Sequence, residues 1–243
     1  LRKKRRSFMK RYSIIEKNNK REMVLLKGKP CIYGKCSFCN YILDNSNDID
    51  EINNCNMEIL SEINGMYNVL EVVNSGSVFE LPDETLSRIR EISDQNGIEI
   101  IYFEAYISYI KRLNEIIDFF PNQEIRFRLG VETFDDEFRK NILNKNFSIS
   151  DSKVFEDIRN KYWGVLLMIC IQGQTKEQIL LDIKTATDNF QEITISVFND
   201  NGTVVKQDKE LTKWFVEEIY PSLQDKQNTE VLISNQDLGV YVQ

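Results

Sequence analysis

Short apolar runs alternate along the chain with longer segments whose apolar residues recur at helical spacing. The runs fall at residues 23–27, 69–73, 98–103, 124–130, 163–171 and 192–198, with a late one at 230–234. Between them, Ile52, Ile59, Leu60 and Ile63 share one side of a helix over 50–66. Ile179, Leu180, Ile183 and Ala186 do the same over 175–189. Pro82 opens a helix that runs to Gln95 and stops at Asn96-Gly97. Further helices are predicted over 108–119, over 134–143, from near Ser150, and over 209–223. Strands alternating with helices of this length predict βαβ units and a parallel sheet. The runs are mostly unbroken because both faces of such a sheet are covered. A doubly wound sheet and an open or partial βα barrel both fit. Either fold places a site at the C-terminal ends of the strands. The polar residues there are the 31–39 loop, residues 74–77, Glu104, Glu132, Gln172 and Asn199.

Composition narrows the chemistry. The 243 residues, 42% hydrophobic and 28% charged, suit one full-sized domain. No apolar stretch reaches membrane-spanning length, and no apolar region follows the basic start as a signal peptide would require. Residues 1–21 hold ten Lys/Arg against one acid, Glu16, inside a chain of net charge −7, so the remainder carries −16. An acidic body repels a phosphate backbone, which argues against a long nucleic-acid groove. The basic head reads as a solvated arm or as a grip for one phosphate. There is no histidine. That removes Ser-His-Asp triads, Cys-His proteases and His-ligated zinc hydrolases. Five cysteines, three of them within nine residues, point to a reducing compartment and a metal or cluster rather than a disulfide frame.

The triplet Cys31-Ile-Tyr-Gly-Lys-Cys36-Ser-Phe-Cys39 has the spacing C-x4-C-x2-C, and Gly34 lets the loop fold back on itself. Zinc would want four ligands, and here there is one C-x2-C knuckle and no histidine. A plant-type 2Fe–2S site shares the spacing but needs a fourth thiolate and a different fold. A 4Fe–4S cluster with three thiolates and one open iron fits best. Cys55 and Cys170 read as a helix-surface thiol and a small core residue.

With an aromatic residue, Phe38, just before the last cysteine, the triplet resembles the radical S-adenosylmethionine (SAM) superfamily. Members usually have C-x3-C-x2-C, so the spacing here is a variant. Asn74-Ser75-Gly76-Ser77 sits where the family has its Gly-Gly-Glu-type site for the SAM amino group, without the acid. Leu129-Gly130-Val131-Glu132-Thr133 is similar to the Gly-Val-Glu element of the tRNA-modifying branches. Together these motifs, in order over 23–200, most resemble the archaeosine-synthase radical SAM subunit and the queuosine/queuine lyases.

The resemblance implies an α/β fold, a partial (β/α)6 TIM-like barrel with the cluster loop after strand one. It implies residues 1–22 as a basic extension and 23–243 as a single domain. It implies a 4Fe–4S cluster on Cys31, Cys36 and Cys39, with SAM as second cofactor. Phe38 and Tyr41 would flank the adenine, and Asn74, Ser75, Gly76 and Ser77 would meet the methionyl end. Glu104 and Glu132 would take the SAM ammonium or ribose, Arg128 the carboxylate, and Asn199 the ribose or substrate. The expected activity is a cytoplasmic lyase that releases queuine from queuosine or its 5′-phosphate, with flavodoxin or ferredoxin as reductant and no membrane partner. The alternatives are a lyase acting on a deazaguanine in tRNA, and a non-enzymatic Fe–S or zinc module.

Overall fold

The computed structural model describes residues 10–234 and 236–240. Eight strands lie in one sheet in chain order. They are β1 (Tyr12–Ile15), β2 (Arg21–Leu26), β3 (Val69–Asn74), β4 (Ile100–Glu104), β5 (Glu124–Glu132), β6 (Gly164–Ile169), β7 (Glu192–Val197) and β8 (Thr229–Leu232). β1 is antiparallel to β2, and every later pair is parallel. All six predicted runs and the late one are strands.

β1 is the addition. It falls inside the segment expected to be a basic extension to residue 22, so the ordered sheet begins ahead of that boundary. Residues 1–9, which hold five of the ten basic residues of the head, are outside the described residues.

The helices are α1 (Ile49–Leu60), α2 (Asp83–Gln95), α3 (Leu113–Phe119), α4 (Asp136–Asn141), α5 (Ser152–Lys161), α6 (Lys176–Asn189) and α7 (Lys209–Trp214). Asp48, Asp135, Asp151, Thr175 and Asp208 cap five of them by accepting hydrogen bonds from first-turn N–H groups. The helix expected over 209–223 is interrupted. α7 passes into a wide π turn (Phe215–Ile219) and a 3-10 turn (Tyr220–Ser222), because Pro221 has no N–H to continue an α-helical ladder.

Strand alternation sorts the side chains to two faces. On β4, Ile101 and Phe103 pack outward into the main core with Ile89 and Ile92 of α2 and Ile116 of α3. Each such side chain contributes ~1.5–3 kcal/mol of burial. The opposite face carries Tyr102 and Glu104. β5 repeats the pattern with Phe127 and Leu129 outward and Arg126 and Arg128 inward.

The inward residues show that the sheet curls. β2 and β8 stand six places apart in strand order, roughly 29 Å in a flat sheet at normal strand spacing. Yet Arg21 of β2 bonds both carboxylate oxygens of Glu230 on β8, at 2.9 and 2.8 Å. The fold is thus a partial barrel with helices outside. Its seam is spanned by an ion pair rather than a ladder.

Candidate active site

Because β2 to β8 are parallel, the segments that follow them gather at one end of the barrel. The longest, between β2 and α1, carries the three cysteines. It has little regular structure beyond a 3-10 turn (Tyr41–Asp44), and its neighbours hold it in place. The Tyr33 hydroxyl donates to the Asn144 carbonyl at 2.6 Å. Ser37 N–H donates to the Leu143 carbonyl at 3.0 Å, and Asn144 Nδ2 to the Lys35 carbonyl at 2.7 Å. Asn201 Nδ2 donates to the Phe38 carbonyl at 2.8 Å. Gly34 has φ +60, a left-handed turn where a Cβ would lie 3.2 Å from the Cys31 carbonyl oxygen. Phe38 packs beside Phe138, Leu143, Met168, Ile171, Phe198 and Val205.

All three thiols are free and partly exposed. Burial pushes the Cys36 thiol up to about 12 and raises the Cys39 thiol as well, with Cys31 and Glu132 adding to both. Thiolates in this place need a cation to form, so the donor set fits iron better than a free nucleophile. Among the described residues, no three His, Cys, Asp or Glu side chains converge as a single ion requires. A cubane spreads its thiolates more widely than zinc does. The remaining cysteines stand elsewhere. Cys55, on α1, is among Arg11, Lys27 and Asp44, and Cys170, just past β6, is beside Thr212. Neither supplies the fourth thiolate that zinc or a plant-type 2Fe–2S site would take.

The 74–77 turn lies against this loop. Asn74 Nδ2 donates to the Ser77 carbonyl at 3.0 Å, Ser75 bonds Asn45, and the Ser77 hydroxyl accepts from Tyr106 N–H at 2.7 Å. The three side chains are thus engaged with protein groups. The acid missing from the motif is supplied three residues later. The Glu80 carboxylate accepts from the backbone N–H of Ser77, from Ile32 N–H at 3.1 Å and from the Tyr109 hydroxyl at 2.9 Å. It therefore ties the cysteine loop to the end of β3. A Cβ on Gly76 would lie 3.0 Å from Glu80 Oε2 and 3.4 Å from the Cys31 Cα, which is why the turn needs glycine. Glu80 was readable as the second half of a Ser-x-x-Glu capping box beginning at Ser77.

Glu132 ends β5 past a register shift, with φ +66. Its carboxylate accepts from Lys145 Nζ at 2.6 Å. A Cβ on Gly130 would lie 2.6 Å from that carboxylate and 2.8 Å from the ammonium, so the pair depends on glycine there. Lys145 is buried, 5.8 Å from the ring centres of both Phe38 and Tyr106. Burial works against its charge, but Glu132 and Cys36 outweigh it and raise its pKa. No sequence pattern pointed to Lys145. The link to Glu132, 13 residues away, appears only once α4 turns the chain back.

Glu104 stands at the end of β4 on the inner face. Its carboxylate makes no hydrogen bond or ion pair among the described residues. Burial raises its pKa to about 7, with the Glu71 and Glu132 charges adding to the effect and Lys145 and Arg128 opposing it. The Tyr41 hydroxyl is pushed up to about 12 by burial of its ring end and by the nearby Glu104 charge.

Two of the expected side chains have protein partners of their own. Arg128 lies four residues below the end of β5, because the strand extends to Glu132. It bonds Glu71 and, at 3.1 Å, Glu192, with Tyr102 under its guanidinium at 4.3 Å. Its guanidinium is engaged by these carboxylates, in register with Glu104 at the end of β4. Asn199 Nδ2 donates to the carbonyls of Val197 at 2.9 Å and Ile233 at 3.1 Å, lashing the end of β7 to the segment after β8.

The comparisons follow the same geometry. A queuine lyase from Clostridium spiroforme, solved with SAM and queuine bound, is 46% identical over 96% of this chain and 100% of its own, with a TM-score of 0.91. SuiB from Streptococcus suis, solved with SAM, has a TM-score of 0.55 at 13% identity over 86% of this chain and 46% of its own, a likeness of fold. Archaeosine synthase subunit beta from Methanosarcina acetivorans is 20% identical over 205 residues, 75% of this chain. The chain spans 59% of that relative's length. No family model matches the chain.

Proposed function

Because the chain belongs to the queuine lyases, a family of radical SAM enzymes, we propose that it releases queuine from queuosine or queuosine 5′-phosphate. The 46% identity to the queuine-bound lyase, end to end, carries the reading. Cys31, Cys36 and Cys39 would hold a 4Fe–4S cluster, which together with SAM would supply the radical chemistry that activates a C–H bond of the substrate.

The protein's own task is to hold and enclose the reactants. Lys145 and Glu132, next to Cys36, form an ammonium–carboxylate pair suited to the carboxylate, ammonium or ribose hydroxyls of SAM. Phe38 and Tyr41 offer aromatic faces for the adenine. The 74–77 turn offers backbone groups to the methionyl end, and Glu80 fixes the turn. Phe38, packed with Phe138, Leu143, Met168 and Ile171, would help keep water from the cysteine loop. The electron comes from a carrier such as flavodoxin or ferredoxin, and the free thiols suit the reducing cytoplasm. No described helix is long and apolar enough to cross a membrane.

The likeness to archaeosine synthase favours a second reading, action on a deazaguanine within tRNA. It predicts tRNA binding that weakens steeply with salt. The deciding experiment is anaerobic reconstitution with iron and sulfide, reduction, and addition of SAM with queuosine or its 5′-phosphate. 5′-Deoxyadenosine and free queuine, both absent in Cys36→Ala, are expected. Cofactor cleavage without base release would move the substrate to tRNA.

A further inference from the structure

The outer surface of the cysteine loop differs from the rest of the chain in charge and in polarity. The chain has 38 acids against 31 bases, yet no Asp or Glu occurs over residues 27–43, 138–150 or 201–207. The fold ties these three segments into one face. Ser37 Oγ donates to the Ile142 carbonyl at 2.5 Å, and Asn144 Nδ2 to the Lys35 carbonyl at 2.7 Å. On the other flank, Asn40 Nδ2 donates to the Asn201 carbonyl at 3.4 Å, and Asn201 Nδ2 to the Phe38 carbonyl at 2.8 Å. Lys35, Lys140 and Lys206 are exposed on this face, and none has a carboxylate partner among the described residues. The Lys206 ammonium donates to the Thr203 carbonyl at 2.9 Å. Leu43 and Val204, at 85% and 82%, are the most exposed large apolar side chains among the described residues, and both stand here with the exposed Ile142.

Exposed apolar side chains among unmatched lysines make a surface for an acidic protein. We propose that this face docks an acidic electron-carrier protein, through ion pairs to Lys35, Lys140 and Lys206 and apolar contact with Leu43, Ile142 and Val204. This rests on the functional reading above and locates its redox partner. The three thiols that would hold the cluster lie on the same loop and are partly exposed, so a carrier seated here faces the centre it must reduce. One electron leaves the carrier's reduced centre and one enters the cluster, and no bond forms or breaks in that step. A nucleic acid fits the face less well. Its lysines are separated by apolar side chains, and the one arginine of the three segments, Arg139, is buried.

The test is calorimetry of flavodoxin and of ferredoxin binding to the reconstituted protein without oxygen, together with rapid-mixing absorbance of cluster reduction. Wild-type affinity for the carrier should fall as salt is raised. Lys35→Glu combined with Lys140→Glu should weaken binding about tenfold or more at low salt and slow carrier-driven reduction in step. Leu43→Ser combined with Val204→Ser should weaken binding about tenfold while keeping its salt dependence. Dithionite is a small reductant that needs no docking, so with it every variant should form 5′-deoxyadenosine within about twofold of wild type. Lys226→Glu, just ahead of β8 at the opposite end of the barrel, should leave carrier binding unchanged. Unchanged carrier binding in both double variants would overturn the proposal, as would a wild type that binds neither carrier while dithionite drives SAM cleavage. Loss of tRNA binding in place of carrier binding would assign the face to nucleic acid, and a dimer dispersed by Leu43→Ser would assign it to a second copy; either would overturn the proposal. A wild type that holds no reducible cluster would instead overturn the functional reading, and this inference with it.

Discussion

Glu71→Gln tests whether the barrel floor is a closed electrostatic unit. Glu71 is 3% exposed, and its two guanidinium partners, Arg21 and Arg128, are 0% and 4% exposed. Burial alone would raise its pKa, but Arg128 and Arg21 together hold it below the usual carboxylate range. The substitution keeps the shape and removes the charge. Breaking a buried ion pair by one partner costs about 3–5 kcal/mol. Arg21 retains Glu230 and Arg128 retains Glu192, so the cost belongs at the lower end, ~3 kcal/mol. At ~2–4 °C per kcal/mol for a chain of this size, the melting temperature should fall by roughly 6–12 °C. The pH dependence adds a check of sign. A depressed carboxylate contributes stability above its unfolded pKa and loses it as the pH falls through the folded pKa. The variant should therefore lose less stability on acidification than the wild type. Replacing Glu71, Arg21 and Arg128 together with apolar residues should cost more than Glu71→Gln alone, because it leaves Glu230 without its arginine and takes Arg128 from Glu192, which keeps Arg126 and the Tyr102 hydroxyl. Urea and thermal unfolding followed by circular dichroism measure all three. A loss under about 1 kcal/mol for Glu71→Gln would mean that water reaches the floor, and the argument from buried charge would fail.

Asp182 of α6 accepts from Phe134 N–H at 2.8 Å through Oδ1 and leaves Oδ2 buried without a partner. Burial raises its pKa to about 6. A raised acid contributes stability below its unfolded pKa and loses it as the pH climbs through the folded one. Asp182→Asn should therefore remove a loss of about 2 kcal/mol between pH 4 and pH 7, and superimposable melting-temperature profiles would refute this. Glu80→Ala strips three donors of their shared acceptor at the junction of the cysteine loop and the 74–77 turn. Iron loss to a chelator should quicken about tenfold while the far-ultraviolet spectrum is retained, and an unchanged rate would show that the loop holds itself.

The outward-facing half of each strand was legible because water selects it. Ile101, Phe103, Phe127 and Leu129 show as apolar wherever the sheet meets helices. The inward half was harder: Glu104 and Arg128 were legible as polar residues toward strand ends, but Tyr102 and Arg126 give no signal until the sheet curls and these side chains face one another. Arg128 lies further from its strand end than expected, because that end was set two residues short of Glu132. β1 was hidden because its four residues, Tyr12–Ile15, lie within a basic run whose charge dominates the pattern. Asn199 has the right position at a strand end, but two carbonyls within reach claim its amide. The cysteine triplet needed no fold to be recognised, because its meaning lies in spacing along a single loop. Glu80 was announced by a local hydrogen-bonding motif, whereas nothing short of the folded chain brings Lys145 to Glu132.

The ion pair across the seam also bears on the order of assembly. Arg21 and Glu230 are 209 residues apart in sequence, so their meeting waits until every intervening βα unit has formed, and contacts of such long range are slow to form. The cysteine loop depends mainly on earlier partners, Glu80 and the residues after α4. A nascent barrel with β2 to β5 in register therefore presents three gathered thiols while its far side is still open.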